Sequence, residues 1–226
     1  MKKAVVSLSG GLDSLTCMAT AHDQGYQVLP INFDYGQKNI VEREAAKAIA
    51  KHFDAELVTI DLTGLGALGG SAMTDDAIAV PDYQASQEIP VTYVPARNTI
   101  FLSIALGYAE IQGAEKIFLG ANAIDYSGYP DCRPEYLAAY QKMADLATKA
   151  GVEGHGPQIV APLVHMTKAE VIQTGHALGV DYGMSVSCYR ANKRGEACST
   201  CDSCTYRKKG FAEAGLPDPT RYAEAG

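Results

Sequence analysis

An α/β fold, a Rossmann-like parallel sheet with helices on both faces, is predicted from two features of the sequence. Short apolar runs typical of strands alternate with segments of helical period along the 226 residues, an order that is typical of right-handed βαβ units. The hydrophobic content of 47% and charged content of 20% are those of an ordinary globular chain. In such sheets ligands bind beyond the carboxyl ends of the strands, so polar residues at that edge are site candidates.

The elements are predicted in order along the chain. Strands are expected at 4–8, 26–33, 56–60, 116–119 and 158–163, and helices at 13–24, 39–53, 98–112, 134–150 and 168–178. Gly25 is a natural stop for the first helix, and Thr167 to Glu170 reads as a capping box that opens the last one. The segment 61–92 contains four glycines and two prolines without a clear period. A loop of this length is usually a lid or a binding loop.

The segment directly after the first strand has the features of a phosphate-binding loop. Ser9-Gly10-Gly11-Leu12-Asp13-Ser14 joins that strand to a helix, where exposed N–H groups and the helix dipole favour an anion. Asp13 would cap the helix or hold a magnesium ion. The other interpretation is a tight turn, and the Walker lysine is absent. The nucleotide-binding residues predicted from this segment are Leu8, Ser9, Gly10, Gly11, Leu12, Asp13, Ser14, Leu15, Thr16 and Cys17.

Four cysteines near the end of the chain have the density of a metal site. Cys188, Cys198, Cys201 and Cys204 have the spacing C-x9-C-x2-C-x2-C, which suits a closed, structural zinc site, although an iron–sulfur pattern is similar. We therefore expect a main domain at 1–183 and a zinc-binding segment at 184–226. Of the other cysteines, Cys17 is expected in the core, and Cys132 lies in a strand-end loop where a nucleophilic role is an alternative.

Charge and hydropathy exclude some classes of function. The net charge of −7 argues against a nucleic-acid partner, although Lys193, Arg194, Arg207, Lys208 and Lys209 form a local basic cluster. No apolar run reaches the ~20 residues needed to cross a bilayer, and no signal peptide is visible at the start. A soluble, cytoplasmic protein without a membrane partner is expected.

The hexapeptide at 9–14 resembles the signature of the PP-loop ATP pyrophosphatases, which have the adenine nucleotide alpha hydrolase-like fold. Four further segments narrow the resemblance to the 7-cyano-7-deazaguanine synthase family of the queuosine pathway. They are 33–37 (Phe-Asp-Tyr-Gly-Gln), 94–98 (Val-Pro-Ala-Arg-Asn), 125–133, and the four late cysteines. Ser199 departs from the pattern, because that family commonly has glycine inside the cysteine knuckle, the Cys-x2-Cys turn from Cys198 to Cys201.

The resemblance implies an ATP-dependent carbon–nitrogen ligase. Its substrates would be 7-carboxy-7-deazaguanine, ATP with magnesium, and free ammonia. Adenylated acid, amide and adenylated amide would lead to the nitrile, with release of AMP and pyrophosphate. It also implies structural zinc and a homodimer.

Asp13 and Arg97 are the residues assigned to catalysis. The substrate-binding residues are predicted to be Arg97, Asp125, Tyr126, Tyr129 and Asp131. The alternatives are a PP-loop tRNA-modifying enzyme, either a thiolase or a lysidine-type ligase, an ATP-binding sensor without turnover, and a zinc-ribbon interaction module formed by the C-terminal segment.

Overall fold

The sheet is parallel throughout and has the strand order β3-β2-β1-β4-β5. The computed structural model describes residues 1–86, 88–123 and 128–224. The strands are β1 (Lys3–Ser7), β2 (Gln27–Asp34), β3 (Val58–Asp61), β4 (Lys116–Phe118) and β5 (Gln158–Val160). The predicted Rossmann-like sheet is confirmed, and all five strands were expected within a few residues.

Helices cover both faces of this sheet. They are α1 (Leu12–Asp23), α2 (Val41–His52), α3 (Thr63–Gly66), α4 (Arg97–Gln112), α5 (Pro134–Ala147), α6 (Lys149–Val152), α7 (Lys168–Ala177) and α8 (Asp202–Ala214). One core holds α4 and α5 against the sheet around Ile31, Leu102 and Ile117. A second core packs α1, α2, α7 and α8 against the opposite face around Val6, Met18 and Ile172.

The order of the strands reverses beside β1. Val5 pairs with Leu29 of β2 on one side and with Ile117 of β4 on the other. The chain builds outward from β1 through β2 and β3, and then crosses back to add β4 and β5. At such a switch point the connections leave the carboxyl ends of two adjacent strands in opposite directions, and a crevice opens between them.

Two predicted boundaries are wrong for local reasons. The helix expected at 134–150 breaks at Thr148, whose backbone is extended (φ −113°, ψ 151°) and whose side chain accepts a hydrogen bond from Gly151 to begin α6. The strand expected at 158–163 ends at Val160, because the chain turns there and Val164 donates back to Ala161. The capping box at Thr167 and Glu170 is confirmed in both directions.

The C-terminal segment packs closely on the main sheet layer. Helix α8 lies against α7, and Phe211 belongs to the same core as α1 and α2. The predicted boundary at residue 184 stays a prediction, since this segment shares its core with the rest of the chain. Among the described helices, each is too short or too polar to cross a bilayer.

Candidate active site and cysteine cluster

A cavity of ≈ 240 Å³ opens at the switch point. The ends of β1, β2 and β4 form its floor, and the beginnings of α1, α4 and α7 form its walls. The last wall comes from the C-terminal segment through Ser187, Tyr189 and Ser203. The carboxyl edge of the sheet, where the sequence predicted the site, is therefore the edge at which this cavity lies.

The phosphate loop is held by serine hydroxyls that accept from three consecutive amides. Gly10 N donates to Ser14 Oγ at 3.2 Å, and Gly11 N donates to Ser9 Oγ at 3.1 Å. Leu12 N donates to Ser187 Oγ at 3.1 Å. These amides begin α1, where the positive end of the helix dipole favours an anion.

Gly10 explains why this loop needs glycine. Its φ is +103°, and a Cβ placed there would lie 2.1 Å from the carbonyl oxygen of Glu42 in α2. The backbone of α2 thus packs directly on the phosphate loop and holds its shape.

The ten residues predicted to bind nucleotide divide into two groups. Leu8, Ser9, Gly11, Leu12, Asp13 and Ser14 line the cavity. Gly10, Leu15, Thr16 and Cys17 do not line the cavity and are buried. Thr16 bonds to Tyr182 Oη at 2.8 Å, and burial raises the pKa of the Cys17 thiol. Cys17 thus lies in the core, as expected.

Asp13 has a partner, Lys168, that was not among the predicted site residues. Lys168 Nζ lies 2.6 Å from Asp13 Oδ1 and 2.9 Å from Oδ2. The side chain of Lys168 lines the cavity from the first residue of α7. Asp13 makes no hydrogen-bonded cap on α1. The one available signal was the capping box, which places Lys168 at a helix start next to the last strand.

Arg97 projects into the cavity among aromatic rings. Its guanidinium carbon lies 5.7 Å from the Tyr35 ring centroid, 5.8 Å from that of Phe101 and 6.0 Å from that of Tyr129. Its Nη1 donates to Tyr35 Oη at 3.4 Å. Within the described residues, no carboxylate oxygen lies within ion-pair distance of this guanidinium. A permanently charged, partly buried fork of this kind is suited to an anionic ligand.

The other predicted substrate residues lie at different depths. Tyr129 lines the cavity and donates from its hydroxyl to Thr92 Oγ1 at 3.0 Å. Asp131 is buried behind it and accepts from Asn98 N at 2.9 Å through Oδ2, so it caps α4. Its Oδ1 has no hydrogen-bond partner among the described residues. Asp125 and Tyr126 lie outside the described residues.

Two titratable groups on the cavity wall have raised pKa values. Burial raises the pKa of Cys132 to about 11, so its thiol is protonated at neutral pH and is a poor nucleophile. Desolvation raises the pKa of Glu42 to about 7, although Ser9 and Arg97 lower it. Glu42 was not among the predicted site residues, because its position in the sequence is that of an ordinary charged residue in an amphipathic helix.

The four late cysteines converge into one cluster. Their sulfur atoms all lie within 4.8 Å of one another, with 4.0 Å between Cys188 and Cys201 and 3.9 Å between Cys198 and Cys204. Four bonds of ~2.3 Å in a tetrahedron place sulfur atoms about 3.8 Å apart. The set therefore fits a single zinc ion, whereas a multi-iron cluster would spread its thiolates more widely.

Local hydrogen bonds support thiolates in this cluster. The amides of Arg190 and Cys198 donate to Cys188 Sγ at 3.3 and 3.2 Å. Hydrogen bonds from Cys188 and Cys204 lower the pKa of Cys201, whereas the contact with Cys201 raises the pKa of Cys188 and contacts with both raise that of Cys204. Metals bind the deprotonated sulfur, so the amide donors at Cys188, together with the short sulfur–sulfur distances, favour metal binding.

Much of the predicted basic cluster is neutralised within the protein. Arg207 is buried and pairs with Asp218 at 3.0 Å. Arg194 pairs with Glu196 at 2.9 Å, and Lys209 lies 3.8 Å from Glu213.

Comparisons with known proteins agree with this arrangement. The family described as "Queuosine biosynthesis protein QueC" matches residues 3–215. A protein of Coxiella burnetii (strain RSA 493 / Nine Mile phase I) named 7-cyano-7-deazaguanine synthase is 60% identical over 222 residues, which are 98% of each chain. A protein of the same name from Legionella pneumophila (strain Corby) is 60% identical over 225 residues, covering 98% of this chain and 97% of that one.

Solved structures extend the likeness to the fold. The NMN synthetase from Francisella tularensis has a TM-score of 0.52 and 17% identity, covering 96% of this chain and 78% of that one. A 4-thiouridine synthetase in an RNA complex with bound ATP has a TM-score of 0.50 and 20% identity, covering 98% of this chain and 47% of that one. The phosphate loop, the cysteine cluster and the near full-length identity lead to one assignment: the chain belongs to the QueC family of queuosine biosynthesis proteins.

Proposed function

We propose that this protein converts 7-carboxy-7-deazaguanine and ammonia to 7-cyano-7-deazaguanine, using ATP and releasing AMP and pyrophosphate. The observation that supports this function most directly is a single cavity with the phosphate loop on one side and the Arg97 guanidinium on the other. Among the described residues, no carboxylate pairs with that guanidinium. One side suits ATP, and the other suits a ring carboxylate. Relatives that are 60% identical carry the name of this synthase.

The ATP phosphates would lie at the start of α1, against the serine hydroxyls that accept from the amides at 10–12. The departing pyrophosphate carries high negative charge, and Lys168 is held beside that loop by its ion pair with Asp13. Lys168 thereby takes the role of the missing Walker lysine from another part of the chain. Stabilising the charge of the leaving group is a large contribution to adenylation.

The acid would lie with its carboxylate on the Arg97 fork. Bidentate hydrogen bonds fix both oxygens of a carboxylate in one plane. The acid would then be oriented for transfer of AMP. Proximity and orientation of the reactants supply much of the rate of such a transfer. The Tyr129 and Tyr35 rings would pack on the flat heterocycle.

Asp13 would hold the magnesium ion that accompanies ATP, as a hard carboxylate donor on the phosphate side of the cavity. The ion would neutralise part of the negative charge of the phosphates. The four cysteines would hold zinc, which would support the fold of residues 184–226 and take no part in the chemistry.

A tRNA-modifying activity finds less support. The internal pairing of Arg194, Arg207 and Lys209 leaves few unpaired cations in the described basic cluster. We therefore propose small-molecule substrates without a nucleic acid. The homodimer that the resemblance implies stays a prediction, which light scattering on the purified protein tests.

The decisive experiment supplies ATP, ammonium and 7-carboxy-7-deazaguanine together. We expect AMP and pyrophosphate in equal amounts, and a product with the mass of the nitrile. Omission of the acid should suppress AMP release. ADP as the nucleotide product would contradict adenylation, and a product that stops at the mass of the amide would contradict the second half of the reaction.

A further inference from the structure

One hydrogen-bond acceptor for the phosphate loop comes from a residue that is 175 positions away in the chain. Ser187 Oγ accepts the hydrogen bond of Leu12 N at 3.1 Å, and the side chain lines the cavity. It acts on the third of three consecutive amides, of which Ser14 and Ser9 take the first two. Geometrically, Ser187 completes the row of serines that begins in the hexapeptide.

The Ser187 hydroxyl retains a proton to donate. Its oxygen accepts from Leu12 N, and in the part of the chain that the structure describes its O–H has no hydrogen-bond acceptor. A hydroxyl can donate one hydrogen bond while it accepts another. A donor that faces a cavity beside a helix start is placed for a phosphate oxygen.

The cysteine cluster fixes the position of Ser187. The next residue, Cys188, is a member of the cluster, and its carbonyl oxygen accepts from Asn39 Nδ2 at 2.7 Å. On the other side, Val186 N donates to Gly10 O at 3.0 Å. Residues 186–188 thus form a short bridge with one end on the phosphate loop and the other end on the metal ligands.

We propose that Ser187 is a third phosphate-binding serine, and that the metal held by the adjacent cysteines keeps it in position. The metal then supports ATP binding as well as the fold. This inference rests on the proposed use of ATP at this loop, but it concerns binding of the polyphosphate and not the later steps.

The first test is Ser187→Ala, titrated with inorganic pyrophosphate and with a non-hydrolysable ATP analogue. Loss of one hydrogen bond to a charged group should weaken binding about tenfold. The zinc content, measured by atomic absorption, should stay at the wild-type level. Ser199→Ala is the matched control, because Ser199 is also adjacent to a cysteine of the cluster but does not line the cavity. Unchanged affinity of Ser187→Ala would overturn the proposal.

The second test removes the metal. Cys201→Ser should release zinc and weaken analogue binding by about the same factor as Ser187→Ala, and the double variant should lose little more. A folded, zinc-free protein that binds the analogue with wild-type affinity would refute the coupling. Circular dichroism establishes whether this variant folds.

Asn39→Ala decides the same question if Cys201→Ser does not fold. It removes the contact with the Cys188 carbonyl and leaves all four thiolates, so zinc should stay bound while analogue affinity falls severalfold. Full affinity in this variant would overturn the positioning role. The titrations contain no deazaguanine substrate and no ammonium. They therefore test binding of the polyphosphate alone, and their result does not depend on whether the protein synthesises the nitrile.

Discussion

Individual side chains in the cavity owe their properties to neighbours that are remote in sequence. Glu42 is an exposed-looking residue in an amphipathic helix by pattern, yet it faces the phosphate loop and its pKa rises to about 7. Arg97 was predicted as an anion-binding residue and lies in the cavity among three rings. The sequence contained the residue types, whereas their charge states depend on contacts made by folding.

Replacing Glu42 by Gln should change how stability varies with pH. Because the folded-state pKa is raised from 4.5 to about 7, the wild type is destabilised by this group as pH rises through that interval. Glutamine does not titrate. We therefore expect Glu42→Gln to be more stable than the wild type at pH 8, by about 1 kcal/mol after allowing for solvent access.

Urea unfolding at pH 5 and pH 8 measures this difference. The advantage of the variant should shrink towards pH 5, where wild-type Glu42 is protonated in the folded state. An equal difference at both pH values would contradict the raised pKa.

Arg97→Lys should separate binding of the acid from binding of ATP. Lysine retains the charge but lacks the planar fork that matches a carboxylate. We expect the KM for the acid to rise about tenfold or more, with little change in the KM for ATP. Steady-state release of pyrophosphate measures both constants. An unchanged KM for the acid would exclude Arg97 as its anchor.

Ser199 adopts a backbone conformation that suits glycine. Its φ is +75°, in the left-handed region where a Cβ costs energy. Ser199→Gly should stabilise the protein by roughly 0.5–1 kcal/mol, since the strain disappears. The Lys208 ammonium loses its contact with the hydroxyl but keeps the Ser199 carbonyl at 3.2 Å. Thermal unfolding with zinc bound tests this, and a lower Tm would contradict it.

At the scale of elements, the phosphate loop and α2 behave as one unit. A Cβ on Gly10 would overlap the backbone of Glu42 and Ala46, and neither backbone can move without shifting α2. Gly10→Ala should therefore cost more than about 3 kcal/mol. Gly25→Ala is the matched control, because Gly25 also has a positive φ but faces open space.

We expect Gly25→Ala to cost about 1 kcal/mol, from its φ alone. Chemical denaturation of the two variants, compared with the wild type, measures the contribution of close packing. Equal costs would mean that α2 yields to the added methyl group.

Element type was well predicted, but element ends were less so. The alternation of apolar runs was sufficient for all five strands, because each is short and lies within an apolar run, even where β3 and β5 are only partly buried. The break at Thr148 follows from a hydrogen bond between its side chain and Gly151, which competes with continuation of the helix. Such a local hydrogen bond does not change the spacing of apolar residues, so hydrophobic periodicity does not predict it.

At the scale of the whole molecule, the long segment 61–92 is tied to the cysteine cluster. Arg190 Nη1 donates to Val80 O at 3.2 Å, and Thr200 Oγ1 donates to Asp82 Oδ1 at 2.6 Å. Tyr83 N donates to Thr200 O at 2.8 Å. The knuckle thus anchors one part of this segment, while Met73 from the same segment lines the cavity.

Asp82→Ala should loosen that anchor. Amide hydrogen exchange at 78–83 should become about fivefold faster, as expected for loss of a largely exposed ion pair and its hydrogen bonds. Asp76→Ala is the control, since Asp76 is 98% exposed and lies 3.8 Å from Lys38. Exchange rates equal to those of the control would show that the backbone contacts alone hold the segment.

The sequence by itself determined the parallel sheet and the four closely spaced cysteines, and it predicted the phosphate loop and the edge of the sheet at which the site forms. These features follow from the pattern and spacing of residues within short segments of the chain. Only the tertiary structure decided that Lys168 reaches Asp13, that Glu42 faces the cavity, and that Ser187 joins the cysteine cluster to the loop. Such contacts join residues over 100 positions apart or depend on which helix face is covered, and both are settled by packing.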